Sequence, residues 1–355
     1  MMRLLTDSIR ALSDTSYTVP GYPITELAGF SGSILAVNEK TAMEYALGDS
    51  LMGRRSVVIV KNVGVNALAD PLVNATTQGL IGGVVLISGD DTEAEGSQNR
   101  QDTRPYSQVA SIPLIELDAS DVYGSLERAF RESERCSRVA LMRVTDIQLK
   151  TGIKGQCIPA APGDRKHGEL AGRYLTMKGR AERADNLFKG ENVEPETVQS
   201  RGCTKTLCKN CPFKPLFEYI SEEGIDVILD TGCALLAMKD PYNIGLANYG
   251  LGSSVAVAAR SAGIAITGDY ALLHSGMNAL ADVYEKRLPL ITVVLKNNRM
   301  GMTGGDTADI TKYIGWANPQ VFNDMSVLKE SVVEPKTFIF EADCPEGEKH
   351  ETIRY

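Results

Sequence analysis

A chain of 355 residues, 43% of them hydrophobic, is long enough for two domains that each bury a real core. Its net charge of −8 argues against nonspecific nucleic-acid binding, which runs on clustered Lys and Arg. It has no run of about 18 apolar residues, so no membrane-spanning helix is expected, and the cytoplasm is the expected location.

The first residues, MMRLLTDSIRALSD, are too polar for a secretory signal and predict a short amphipathic helix. A strand is expected at Ile34–Val37, and a helix opens at Asn38 with Glu39 in its first turn. Short apolar runs follow at Ser56–Val60, Gly83–Ser88, Ile112–Leu117 and Val139–Val144. Between the last two, Val122, Leu126, Ala129 and Phe130 fall on one helical face. Continuous apolar strands joined by helices predict a parallel sheet covered on both sides. Residues 151–202 lack a periodic apolar pattern and read as a polar connector with a short helix around 168–184. The same grammar then resumes. Strands are expected at Val227–Leu229, Ile264–Thr267, Ile291–Leu295 and Phe338–Glu341, with helices after Cys211 and through Ser253–Ser261 and Ser275–Lys286. The expected fold is α/β: two domains, 1–150 and 203–355, each a mainly parallel sheet flanked by helices.

Gly268-Asp269-Tyr270 and Asn297-Asn298 close two successive predicted strands, separated by 26 residues. Each dipeptide alone is an ordinary turn. Together they stand on one edge of a parallel sheet, where open α/β sheets bind ligands. A carboxylate, an amide oxygen and a backbone carbonyl suit Mg²⁺ bridging a diphosphate.

Of seven cysteines, four lie within residues 203–233. Clustering in a large chain favours metal or redox chemistry over disulfides. Cys208-Lys209-Asn210-Cys211-Pro212 is a C-x-x-C-P loop, with Cys203 before it and Cys233 and Cys344 after it. Four thiolates can hold [4Fe–4S] or structural Zn²⁺. Cys136, at a helix end, and Cys157, in the connector, are not expected to be ligands.

The Gly268-Asp269-Tyr270 and Asn297-Asn298 pair resembles the metal-binding motif of thiamine diphosphate enzymes. NEKTAMEYALGDSLMGRRSVVIVKNVGVNALADPL and GGVVLISGDDTEAEGSQNRQDTRPYSQVASIPLIEL are similar to the pyrimidine-binding domain of the large subunit of indolepyruvate ferredoxin oxidoreductases. The resemblance implies that Asp269 and Asn297 ligate Mg²⁺ by side chain and Arg299 by its carbonyl. It also places Gly268, Tyr270, Thr303 and Gly304 beside the diphosphate. Glu39 becomes the carboxylate that holds the aminopyrimidine N1′ proton, a role in which burial in an apolar wall raises a carboxyl pKa. Thr25, in Gly21-Tyr22-Pro23-Ile24-Thr25, corresponds to a Thr that approaches substrate. His274 stands where the indolepyruvate type also has His, and takes a catalytic or substrate-binding role. Cys208, Cys211, Cys233 and Cys344 correspond to the ligands of a [4Fe–4S] cluster, with Cys203 as a spare. Ser97-Gln98-Asn99 and Gln101-Asp102 match the family, but Arg100 replaces an acidic residue. Lys61, Asn62 and Asn66 lie in the matching stretch with no assigned role.

The implied activity is oxidative decarboxylation of a 2-oxo acid, with electrons passing to the cluster and the acyl group to coenzyme A. No stretch corresponds to the transketolase-like or ferredoxin-like domains of the relatives, so ferredoxin or a second subunit is expected to take the electrons. A homodimer or hetero-oligomer is implied. Two alternatives stand beside this: a non-oxidative thiamine-dependent decarboxylase or carboligase, and a cofactor-binding subunit without turnover.

Overall fold

Strands that bury both faces must be covered by helices, and the connections that allow this make neighbouring strands parallel. The computed structural model describes residues 1–151, 165, 167–170, 177–191, 203–345 and 349–354. It divides into two units, Met1–Ala171 with Arg180–Glu194, and Gly172–Gly179 with Pro195–Tyr355.

The first unit holds β1 (Thr15–Thr18), β2 (Ile34–Leu35), β3 (Ser56–Lys61), β4 (Val84–Asp90), β5 (Leu114–Glu116) and β6 (Ala140–Thr145). They form one parallel sheet in the order β2-β1-β3-β4-β6-β5. Three of the apolar runs became the inner strands β3, β4 and β6, and Ile112–Leu117 became β5 at the sheet edge. β1, with its TSYT sequence, has no apolar signature and is recruited by pairing with β3. The expected strand Ile34–Val37 shrinks to two exposed residues at the sheet edge.

The helix Glu39–Leu51 is buried from Thr41 to Leu51. It begins where the Asn38 side chain accepts a hydrogen bond from the Thr41 N–H at 2.8 Å, an N-cap worth about 1 kcal/mol. The helix Val122–Cys136 buries Val122, Leu126, Ala129 and Phe130, the predicted stripe. At the amino end, Met2–Leu12 buries Leu5, Ile9 and Leu12. In the connector, the helix spans Met177–Lys189 rather than 168–184, and Leu170 bridges to Gly79. Most other connector residues, Cys157 among them, lie outside the described residues.

The second unit holds β7 (Cys203–Cys208), β8 (Ile228–Leu229), β9 (Ile264–Gly268), β10 (Ile291–Lys296), β11 (Gln320–Val321), β12 (Lys336–Glu341) and β13 (His350–Arg354). Five are parallel, in the order β11-β12-β10-β9-β8. Their core includes Leu216, Phe217, Ile220, Ile266, Val293 and Phe338. β7 and β13 form a separate antiparallel ladder that the sequence reading did not anticipate.

Arg55 and Glu134 tie the helix Val122–Cys136 to the start of β3. Their side chains are about 3% and 2% exposed, and two bonds join them at 2.6 and 2.8 Å. The guanidinium also lies 5.0 Å from the Phe130 ring centroid. Removing one partner strands the other charge in the core. Glu134→Ala should therefore cost about 3–5 kcal/mol of unfolding free energy. Urea unfolding of the variant checks this, and a loss under about 1 kcal/mol would show the pair to be dispensable.

Candidate functional site

Parallel pairing sets the site. Leu229 pairs with Ile266, Gly268 with Leu295, and Lys296 with Glu341. The residues that follow β8, β9, β10 and β12 therefore emerge on one edge, the expected ligand edge of an open sheet. They include Asp230 to Cys233, Asp269, Asn297 and Cys344.

A cavity of about 300 Å³ opens at this edge. Its lining includes Gly232, Gly268, Asp269, Tyr270, Asn297, Arg299 and Thr303, with Leu235, Leu251 and Met302 as apolar wall. Asp269 is 2% exposed. Its oxygens accept hydrogen bonds from the N–H of Tyr270 at 2.7 Å and of Asn298 at 2.8 Å. Burial pushes its carboxyl above the usual range, and these N–H groups oppose the shift. Asn298 holds the turn with φ of 53°, a left-handed conformation that Asn tolerates.

The residues fit a diphosphate with its cation. Asp269 and Asn297 carry hard oxygen atoms on adjacent strand ends, the donor type that suits a divalent cation. Gly232 has φ of 129°, a conformation confined to glycine, and a Cβ there would project into open space. Gly268 and Gly304 are likewise open beyond the Cα. Backbone can thus approach a ligand closely at three points.

A second cavity, of about 250 Å³, adjoins the first and is lined by Cys208, Cys211, Cys233, Cys344, Lys349 and His350, among others. Cys208 ends β7, and its carbonyl accepts from the Cys211 N–H at 3.2 Å, closing the C-x-x-C turn. Cys233 begins a short helix after β8. Burial, then the neighbouring Cys211, Cys344 and Cys208, push the Cys233 thiol up to about 12. Burial also raises Cys211. Thiolates this close repel one another, and a cationic centre would remove the penalty. These four cysteines carry no disulfide. Among the described residues, no three His, Cys, Asp or Glu side chains converge tightly enough to hold a metal ion.

The sequence reading missed several participants. His350 sits opposite Cys208 in the ladder, with Nε2 3.7 Å from Cys233 Sγ. Desolvation and the Lys205 charge lower its pKa. Its only sequence signal is its position six residues beyond Cys344. Asp230 is fully buried and accepts from the N–H of Thr231 and Gly252 and from the hydroxyls of Ser254 and Thr267. Burial raises its pKa against those donors. It braces the turn that carries Gly232 and Cys233. The signal was present in Asp230-Thr231-Gly232-Cys233, where attention went to the cysteine.

Other predicted residues stand differently. Tyr270 lines the first cavity, but His274 is not among its lining residues; it is exposed, and its ring lies tilted beside Tyr270 at a centroid distance of 5.8 Å. It lies in a π-helical segment, Leu272–Gly276. Cys203 pairs through its backbone with Arg354 at the far end of the ladder from Cys208. Cys136 is buried at the end of the helix Val122–Cys136.

In the first unit, Glu39 is half-buried at the first turn of its helix rather than enclosed in an apolar wall. It packs against Gly64, where a Cβ would fall 2.7 Å from Oε1, so a side chain at position 64 would push the carboxylate from this place. Thr25 begins the helix Thr25–Ser31 and is exposed. Lys61, Asn62 and Asn66 hold the 98–101 segment through Gln98 and Gln101, an architectural role the sequence did not suggest. Arg100 is 70% exposed and faces Glu93. A cavity of about 1030 Å³ in this unit is a charged cleft around Arg128, Arg131 and Arg135 that none of the predicted site residues line.

Residues 230–326 match the family described as thiamine pyrophosphate enzyme, C-terminal TPP binding domain. The chain is 37% identical over 122 residues to indolepyruvate oxidoreductase subunit IorA of Archaeoglobus fulgidus, a match covering 31% of this chain and 20% of that protein. It is 32% identical over 136 residues to the subunit IorA of Thermococcus kodakarensis, covering 36% and 21%. The matches thus span about a fifth of these relatives. Among solved structures, it resembles a thiamine diphosphate-dependent 4-hydroxybenzoylformate decarboxylase of Rhodococcus jostii, with a TM-score of 0.65 at 12% identity, covering 98% of this chain and 99% of that one. The benzoylformate decarboxylase of Polynucleobacter necessarius gives 0.64 at 11%, covering 96% and 98%. At such identities the likeness speaks for a shared fold.

The Gly232 conformation gives a local test. Gly232→Ala forces an L residue into a glycine-only region and should cost about 1–3 kcal/mol of stability although space exists for the methyl. Thermal or urea unfolding measures this, and an unchanged midpoint would mean that the turn relaxes freely.

Proposed function

We propose that this chain, a relative of indolepyruvate oxidoreductase subunits that carries a thiamine pyrophosphate-binding domain, is a thiamine diphosphate-dependent enzyme of 2-oxo acids that passes electrons to an iron–sulfur centre. The observation that carries the reading is the juxtaposition of two cavities on one sheet edge, one lined by Asp269 and Asn297, the other by four cysteines.

In this reading Asp269 and Asn297 hold Mg²⁺ by their side chains and Arg299 by its carbonyl. The open backbone at Gly268 and Gly304, with Tyr270 and Thr303, cradles the diphosphate. Thiamine diphosphate, when bound, supplies a nucleophilic carbon and an electron sink for a 2-oxo acid. Glu39 would hold a proton at the aminopyrimidine N1′, the position from which the 4′-amino group across the ring gains its basicity. Leu235, Leu251 and Met302 exclude water around the cation cage, which strengthens its electrostatics. Thr25 contacts substrate, and His274 acts at the substrate side of Tyr270. Cys208, Cys211, Cys233 and Cys344 hold [4Fe–4S] with Cys203 in reserve. A cluster spreads its thiolates wider than one ion does, which suits cysteines that share a cavity without converging on a point. Acyl transfer to coenzyme A, delivery of electrons to ferredoxin or a second subunit, and a dimeric or hetero-oligomeric assembly complete the reading.

The names of the structural neighbours favour a second reading. Both are decarboxylases, which suggests non-oxidative release of an aldehyde. The four cysteines have no place in that chemistry, so the oxidative reading is preferred.

Anaerobic purification, with iron, sulfide and thiamine measured together and turnover assayed with aryl 2-oxo acids, tests both. The expected result is four irons and four sulfides per chain, and acyl-CoA formed only with an electron acceptor. Full thiamine occupancy without iron, and aldehyde released without an acceptor, would establish the second reading instead. Glu39→Gln should lower turnover by at least about 100-fold while calorimetry still shows coenzyme binding. The raised Asp269 pKa sets the pH dependence. The cation requires the carboxylate, so Mg²⁺-dependent coenzyme binding should weaken as pH falls, earlier than for an ordinary aspartate. Titration calorimetry across mildly acidic pH checks this.

A further inference from the structure

The two cavities share a wall, and one side chain in it faces both ways. Asn297 lines the cation cavity and the cysteine cavity alike. Its Nδ2 donates to Cys344 Sγ at 2.9 Å. Among the described residues its Oδ1 accepts one long bond, 3.4 Å, from the Arg299 N–H, which leaves it lone-pair capacity in a residue that lines the same cavity as Asp269. Phe213, Cys233, Arg299 and Gly301 complete the shared wall. A Cβ at Gly301 would sit 3.3 Å from Cys233 Sγ and 3.8 Å from Asn297 Nδ2, so the loop passes close over the junction.

We propose that Asn297 is a bridge that couples the cation site to the sulfur centre, so that filling one changes the charge the other tolerates. The inference rests on the functional reading above. The carboxamide is suited to the task. Among neutral side chains only Asn and Gln carry a hard oxygen acceptor and N–H donors on one conjugated group. A cation on Oδ1 draws density from the amide and makes its N–H a stronger donor. A stronger N–H···S bond stabilises negative charge on Cys344, and hydrogen bonds to cluster sulfurs help set the reduction potential. Linkage makes the effect reciprocal: reduction of the sulfur centre tightens cation and coenzyme binding. The coenzyme site and its electron acceptor would then be tuned together by one positioning residue. Aspartate or threonine would retain an oxygen ligand for the cation, but neither carries an N–H to give the sulfur.

The test is an EPR-monitored redox titration of the anaerobically reconstituted full chain, with and without thiamine diphosphate and Mg²⁺. In the native protein the coenzyme should raise the potential. Asn297→Thr should titrate at a lower potential than the native protein before any coenzyme is added, and the coenzyme-induced rise should largely vanish in Asn297→Thr and Asn297→Asp. Calorimetry confirms coenzyme occupancy in each variant. Equal coenzyme-free potentials in native and Asn297→Thr protein, or an equal coenzyme-induced shift in both, would overturn the bridge. Should no iron–sulfur centre assemble, the functional reading fails by itself, and Co²⁺ bound by the cysteines then reports on the bridge. The sulfur-to-cobalt band should move when thiamine diphosphate and Mg²⁺ are added to native protein and stay fixed in Asn297→Thr. An immobile band in native protein, or failure to bind Co²⁺, would equally overturn it.

Discussion

In-register parallel pairing of β8, β9, β10 and β12 is the constraint on which the candidate site depends. Side chains that lie far apart in sequence become neighbours because four strands run the same way and end at the same level. A one-residue slip of β10 would turn its inward side chains outward and carry Asn297 off the edge. The apolar faces forbid that slip, since Ile291, Val293 and Leu295 are all packed in the core. Register is therefore maintained by hydrophobic burial, and the polar edge inherits its precision from the apolar interior.

The buried carboxylate of Asp230 works on the same edge by a different means. A lone buried charge would be costly, and burial does push this group towards its neutral form. Four donors from three separate segments meet on it: Thr231 beside it, Gly252 and Ser254 beyond the next turn, and Thr267 at the end of β9. The acid thus fixes the turn that presents Gly232 to one cavity and Cys233 to the other. Its polar neighbours are local scaffolding, and the groups that face the cavities are left with spare capacity. This division between groups that hold and groups that face a ligand runs through the site. Asp91 shows the same economy in the first unit, where it gathers the N–H groups of Glu95, Gly96 and Ser97 to shape the loop that follows β4.

Much of this was legible in the sequence because its signals are local. Apolar runs such as SVVIV and ITVVL commit to buried strands whatever surrounds them, and Asn38 announces the helix that carries Glu39. Asp269 and Asn297 could be paired because each ends such a run. The features that escaped arise from distance. β1 is too polar to declare itself and becomes a strand only beside β3. His350 joins the cysteines through a ladder with β7, a contact spanning more than 140 residues that no local pattern encodes. His274 lies beside Tyr270 rather than in the cavity lining itself, within a π-helical segment that no local sequence pattern announces. The half-burial of Glu39 was likewise unreadable, because its enclosure depends on what packs against Gly64 rather than on its own neighbours in sequence.

The ladder of β7 and β13 has a practical corollary for handling the molecule. His350, Thr352, Ile353 and Arg354 are hydrogen-bonded partners of the segment that ends in Cys208. One wall of the sulfur-lined pocket is consequently woven from the last described residues. Any loosening of that weave would open the pocket wall, so its thiols are best handled under reducing, oxygen-free conditions.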